Sequence, residues 1–82
     1  MFFLIEYNRP KGELISISSF EEAEREWAEK KRLEIELKLN QSGISHEVVL
    51  LEAESQEALR RTHRRYFENS KQIGQSINRP SA

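Results

Sequence analysis

The densest run of chemically capable side chains is Arg60-Arg61-Thr62-His63-Arg64-Arg65-Tyr66. On a helix, Arg60 and Arg64 stack a turn apart, as do Arg61 and Arg65, with His63 at the edge. Four guanidinium groups on one face could bind phosphates, and Tyr66 or Phe67 could stack on a base. The plainer reading is a solvated helix face, because Glu57 and Glu68 stand at pairing distance from the arginines. His63 has no nucleophile or orienting carboxylate near it in sequence, so it reads as a partly buried spacer, not a base. Glu6, which closes an apolar run, could be a buried acid facing an arginine or His63, or could lie at a sheet edge. Glu21, Glu22, Glu24, Glu26 and Glu29 form an acidic cluster, but on a helix rather than on a loop that converges oxygens on a cation. No nucleotide-binding, zinc-binding or nucleophile-elbow string occurs, so no cofactor, metal or catalytic residue is assigned.

Composition narrows the setting. With 82 residues the chain is at most one domain, and a domain so small buries only about 60% of its unfolded surface. Cysteine is absent, which removes disulfides, thiolate metal sites and cysteine catalysis. Self-association is the remaining route to extra burial. The start, Met1-Phe2-Phe3-Leu4-Ile5, is too short for a signal segment or a membrane span, so the expected setting is cytoplasmic, away from membranes. Residues 1–59 carry 7 basic and 13 acidic side chains, and residues 60–82 carry 6 basic and 1 acidic. That asymmetry fits either an anionic partner or charge complementarity between copies. The acidity of the body argues against a dedicated nucleic-acid binder.

The elements that must position these residues follow from periodicity. Residues 2–7 form an apolar run suited to a central strand buried on both faces. Residues 13–18 alternate, with Ile15 and Ile17 on one face and Leu14, Ser16 and Ser18 on the other. Pro10 and Gly12 between them predict a hairpin. Ser19, with Glu22 three residues on, reads as a capped helix start. Phe20, Ala23 and Trp27 are then expected to pack on the sheet, Trp27 as a core anchor. Residues 33–39 alternate like a strand, but their Leu, Glu and Lys content favours one helix from about 20 to 40, stopped by Gly43. In that helix Leu33 and Leu37 lie opposite the packed stripe. Residues 46–53 are the clearest strand. Ser55 caps a second helix running to about Asn69, with Ala58, Leu59, Thr62 and Tyr66 inward. Residues 69–82 read as a flexible tail in which Ile73 and Ile77 could dock.

The resulting class is α+β: ββαβα, a three-stranded antiparallel sheet of order 2-1-3, with two helices on one face. The domain is 1–68. The alternative, with residues 33–39 as strand, is ββαββα and ferredoxin-like. Two helices on one face would leave Phe2, Leu4, Val48 and Leu50 uncovered, and apolar patches of that size are rare on soluble monomers. A homodimer is therefore expected, through that open face or through the Leu33 and Leu37 edge of the long helix.

Phe3-Leu4-Ile5-Glu6-Tyr7, the turn ending Gly12-Glu13-Leu14, and Val48-Val49-Leu50-Leu51-Glu52-Ala53 with Ser55 and the Glu57–Phe67 segment resemble short bacterial proteins without an assigned function. The likeness spans roughly residues 3–67 and implies a bacterial cytoplasmic protein but no activity. The strand-then-helix half is also similar to small ferredoxin-like dimeric α+β proteins, a likeness of fold that does not carry function. The functional expectations rank as follows. First comes a non-catalytic interaction or structural module acting as a homodimer, with an unidentified protein partner also allowed. An anion or nucleic-acid binder using Arg60, Arg61, His63, Arg64 and Arg65 comes second. An enzyme with His63, Tyr66 and an arginine in a cleft comes third.

Overall fold

The computed structural model describes residues 1–68; the tail expectations for 69–82 lie outside the described residues. Strand β1 (Phe2–Asn8) and strand β2 (Glu13–Phe20) form the hairpin. Its turn closes with the Gly12 N–H on the Arg9 carbonyl at 3.2 Å, and Asn8 Oδ1 accepts from the Lys11 N–H at 3.3 Å. Gly12 supplies the left-handed conformation this turn needs, at φ 63°. Helix α1 (Arg25–Ser42) runs without interruption through residues 33–39, so the strand alternative for that segment does not form. Strand β3 (Glu47–Glu52), helix α2 (Gln56–Thr62) and a final 3-10 turn (Arg64–Phe67) complete the order. The sheet is antiparallel with β1 between β2 and β3, as the strand patterns indicated.

Helix boundaries follow local hydrogen bonding. Ser19 is not a cap: β2 continues to Phe20, and Ser19 pairs with Phe3 in the ladder. The turn into α1 starts two residues later, where the Glu24 carboxylate accepts the Glu21 N–H at 2.8 Å. Gly43 ends α1 at φ 70°. Its N–H bonds the Asn40 carbonyl at 3.2 Å, and the Ile44 N–H bonds that of Leu39 at 2.9 Å, which satisfies the last carbonyls. Ser55 Oγ caps α2 by accepting the Ala58 N–H at 3.1 Å.

One core cluster joins Phe3, Ile5, Leu14, Leu59, Tyr66 and Phe67, with Tyr7, Ile17, Val49 and Leu51 against it. These strand residues share one sheet face, and α2 with the 3-10 turn covers it. Phe2 and Leu4 point the opposite way. They are also buried, the Arg25 guanidinium lies 5.8 Å from the Phe2 ring centroid, and Ala28 of α1 is fully buried. The two helices therefore lie on opposite faces, not together on one. The apolar side chains on both faces explain this: each helix buries one set. The expected open face does not exist, and Phe2 and Leu4 are packed within a single chain.

Two further phases differ from simple periodicity. A bulge between Glu6 and Tyr7 in the β1–β2 register skips Ile15, so Leu14 pairs with Tyr7 and Ile17 with Ile5. Leu14 is thereby buried on the core face and Ile15 is exposed. In α1, Ile35 and Leu39 fall about 20° either side of Ala28 at about 100° per residue. That narrow arc faces the sheet, and Ala28 permits close approach. Trp27 lies about 100° away and is 59% exposed, so it is not a core anchor.

Candidate functional site

Apart from the arginine run, three places among the described residues bring together side chains that could do chemistry or hold a partner. At the hairpin end of the sheet, Glu47 collects partners from two segments, the 3-10 turn and the β1–β2 turn. It accepts from Tyr66 Oη at 2.7 Å and from Arg65 at 2.6 Å, with Arg9 at 3.8 Å. Tyr7 Oη donates to the Arg65 carbonyl at 3.2 Å, and the rings of Tyr7 and Tyr66 meet edge to face at 5.1 Å. Burial, then the hydrogen bond to Glu47, pushes the Tyr66 hydroxyl pKa above its usual value. The Arg65 guanidinium is held above its usual value chiefly by its hydrogen bond to Tyr66. Every group here is engaged, so the cluster fastens the 3-10 turn to the end of β3.

On the opposite face, His46 Nδ1 lies 2.6 Å from Glu6 Oε2, both largely buried. Glu6 therefore faces His46, and neither His63 nor an arginine. This pair was not legible from sequence, because the two residues are 40 positions apart. His63 instead contacts Thr62 Oγ1 at 2.9 Å and stacks on Tyr66 at 6.5 Å.

The arginine run does not form one helical face. α2 ends at Thr62, where His63 departs from helical geometry (φ −125°, ψ 56°), and a 3-10 turn follows. The break lets the adjacent rings of Tyr66 and Phe67 both enter the core. Arg65 is drawn to Glu47, and the Arg60 guanidinium sits 4.8 Å from the Phe67 ring centroid. Arg60, Arg61 and Arg64 line a shallow open surface together with Glu57. Among the described residues no three histidine or acidic side chains converge as a metal site would require, and no helix is long and apolar enough to cross a membrane.

The third place is the outward side of α1. Trp27, Leu33 and Leu37 are 59%, 52% and 60% exposed, with Lys30 and Glu34 between them. The sheet-facing arc of Ala28, Ile35 and Leu39 fixes this orientation, since a helix that buries that arc turns Leu33 and Leu37 outward. Val48 and Leu50 are half-buried on the Phe2 and Leu4 side of the sheet. Of the six residues expected at an interface, Leu33 and Leu37 are thus the ones exposed.

The fold and this surface define a small α+β domain with a helix on each sheet face and an apolar strip on one helix. Comparisons with protein-family models, with curated proteins and with solved structures return no match.

Proposed function

We propose that the protein is a non-catalytic interaction or structural module, that its working surface is the outward side of α1, and that it acts as a homodimer. One observation carries this reading: three large apolar side chains, each more than half exposed, stand on the helix face that no other described element covers. Aromatic and aliphatic side chains of this size gain most when a partner removes them from water. The occupied hydrogen-bonding groups around Glu47 favour an architectural role for that cluster over a catalytic one.

Trp27 is the chain's single tryptophan, so its emission reports this surface directly. On raising the concentration from about 1 to about 200 µM, Trp27 emission should shift to shorter wavelength while sedimentation shows a rising dimer fraction, as an interface of modest size requires. Leu37→Ala should weaken both responses. A chain that sediments as a monomer throughout, with unchanged emission, overturns the reading.

The arginine surface supports a second reading, anion binding, through Arg60, Arg61 and Arg64, which remain exposed. Salt-sensitive binding of RNA or DNA, lost in Arg60→Glu with Arg64→Glu, would support it. Binding unaffected by that pair would remove it.

A further inference from the structure

We infer that two copies pair through α1 as an antiparallel helix pair whose two-fold axis passes at residue 32, so that Trp27 meets Leu37 and Lys30 meets Glu34 of the other copy. The inference rests on the interaction reading above and adds the register, and with it the reason the partner is this same chain.

Within α1, Trp27, Lys30, Glu34, Leu37 and Gln41 are spaced alternately by three and four residues, and Ala23 precedes Trp27 by four in the 3-10 turn (Glu22–Glu24) that leads into α1. That is the spacing of a seam along which one helix packs on another. The structure places Trp27 and Lys30 beside Ala23 on one shallow surface and beside Glu34 on the next. Reversing the helix about position 32 brings together residues equally distant from it. Trp27 then packs on Leu37, Lys30 faces Glu34 and Ala23 faces Gln41, each pair occurring twice by symmetry.

Alternative alignments fail on the same residues. A parallel pair sets Lys30 against Lys30 and Glu34 against Glu34. An antiparallel pair shifted by one heptad sets Glu34 against Leu37 in one direction, and Trp27 against Lys30 in the other. The register about residue 32 alone matches apolar with apolar and cation with anion. Leu33 lies beside the axis and so meets its own copy across it.

The charges are free to serve this role. Lys30 has no ion pair among the described residues, and Glu34 has only an exposed contact with Lys31 at 3.6 Å. Contacts of that kind contribute little. In the pair, Glu34 would sit between Lys31 of its own chain and Lys30 of the other. Trp27 and Leu37 supply the burial, and the charged layer selects partner and register.

The absence of cysteine makes a direct test possible on the full chain. Lys30→Glu and Glu34→Lys should each weaken self-association about tenfold or more, because both put like charges across the axis. An equimolar mixture of the two variants should recover a heterodimer of wild-type strength. One chain then carries glutamate at both positions and the other carries lysine at both, so every pair across the axis unites opposite charges. Under mild oxidation Ala23→Cys alone and Gln41→Cys alone should stay unlinked, and their mixture should form the disulfide-linked dimer. These positions are exposed, and circular dichroism checks that each variant keeps its fold. A wild-type dimer that ignores the charge reversals, or an Ala23→Cys chain that links to itself, overturns the register while leaving the interaction surface standing. A wild-type chain that stays monomeric overturns both.

Discussion

Replacing Leu59 with alanine tests the packing on which the α2 face depends. Leu59 is fully buried, and it is the one fully enclosed side chain that α2 contributes to the core cluster. α2 has only seven residues, far too few to be helical alone. Its attachment therefore relies on Leu59, with Tyr66 and Phe67 following in the 3-10 turn. Truncating a buried leucine costs about 2.7–5 kcal/mol, less where the site can collapse. A short helix can partly collapse, so about 3 kcal/mol is expected. At roughly 0.05–0.15 kcal/mol per residue, the whole 82-residue chain is stable by about 4–12 kcal/mol. The variant thus loses a quarter or more of the total. With a urea m-value of about 1–1.5 kcal/mol/M, the midpoint should fall by about 2–3 M with m unchanged. Urea titration followed by circular dichroism measures both quantities, and Arg61→Ala, on the exposed side of the same helix, should stay within about 0.5 kcal/mol. A Leu59→Ala loss below about 1 kcal/mol would refute the claim that this side chain seals α2 onto the sheet.

Four other perturbations test separate parts of the structure. Tyr66→Phe removes the 2.7 Å bond to Glu47 and should cost about 1–2 kcal/mol near neutral pH. Because the folded state raises the Tyr66 pKa above the 10.0 of a free tyrosine, its contribution is fully present below that pH and fades as pH rises through 10 and beyond; the wild-type advantage over Tyr66→Phe should shrink there, and a constant difference would contradict the assignment. A double-mutant cycle with Glu6→Ala and His46→Ala should give a coupling of about 1 kcal/mol for their largely buried 2.6 Å contact, whereas additive losses would mean the two residues act independently. Gly43→Ala should destabilise by about 1 kcal/mol through backbone strain alone, since an added Cβ meets nothing within 4 Å, and Gly43→Asn should cost less in thermal melts. Ser55→Ala should cost about 1 kcal/mol by freeing the Ala58 N–H, with faster amide exchange in the first turn of α2 as the check.

By itself the sequence determined the parts governed by neighbours a few residues apart. Pro10 and Gly12 imposed the hairpin, Gly43 the end of α1, and Ser55 the start of α2, because each acts through a bond or torsion within its own turn. The apolar runs 2–7 and 46–53 placed β1 at the centre and β3 beside it. Tertiary structure decided what depends on residues far apart. The helices lie on opposite faces because Phe2 and Leu4 need cover as much as Phe3 and Ile5 do. Trp27 faces outward because the sheet side of α1 is taken by buried Ala28 and half-buried Ile35 and Leu39, about 100° away around the helix. The arginine run is broken at His63 so that Tyr66 and Phe67 can both be buried, and Glu47, 18 residues before Arg65, then claims that guanidinium. The arginines, the feature most conspicuous in the sequence, are thus partly absorbed into the fold. The apolar side of α1 is left uncovered, because the phase of a helix against its sheet is set by the contacts it makes and not by its own sequence alone.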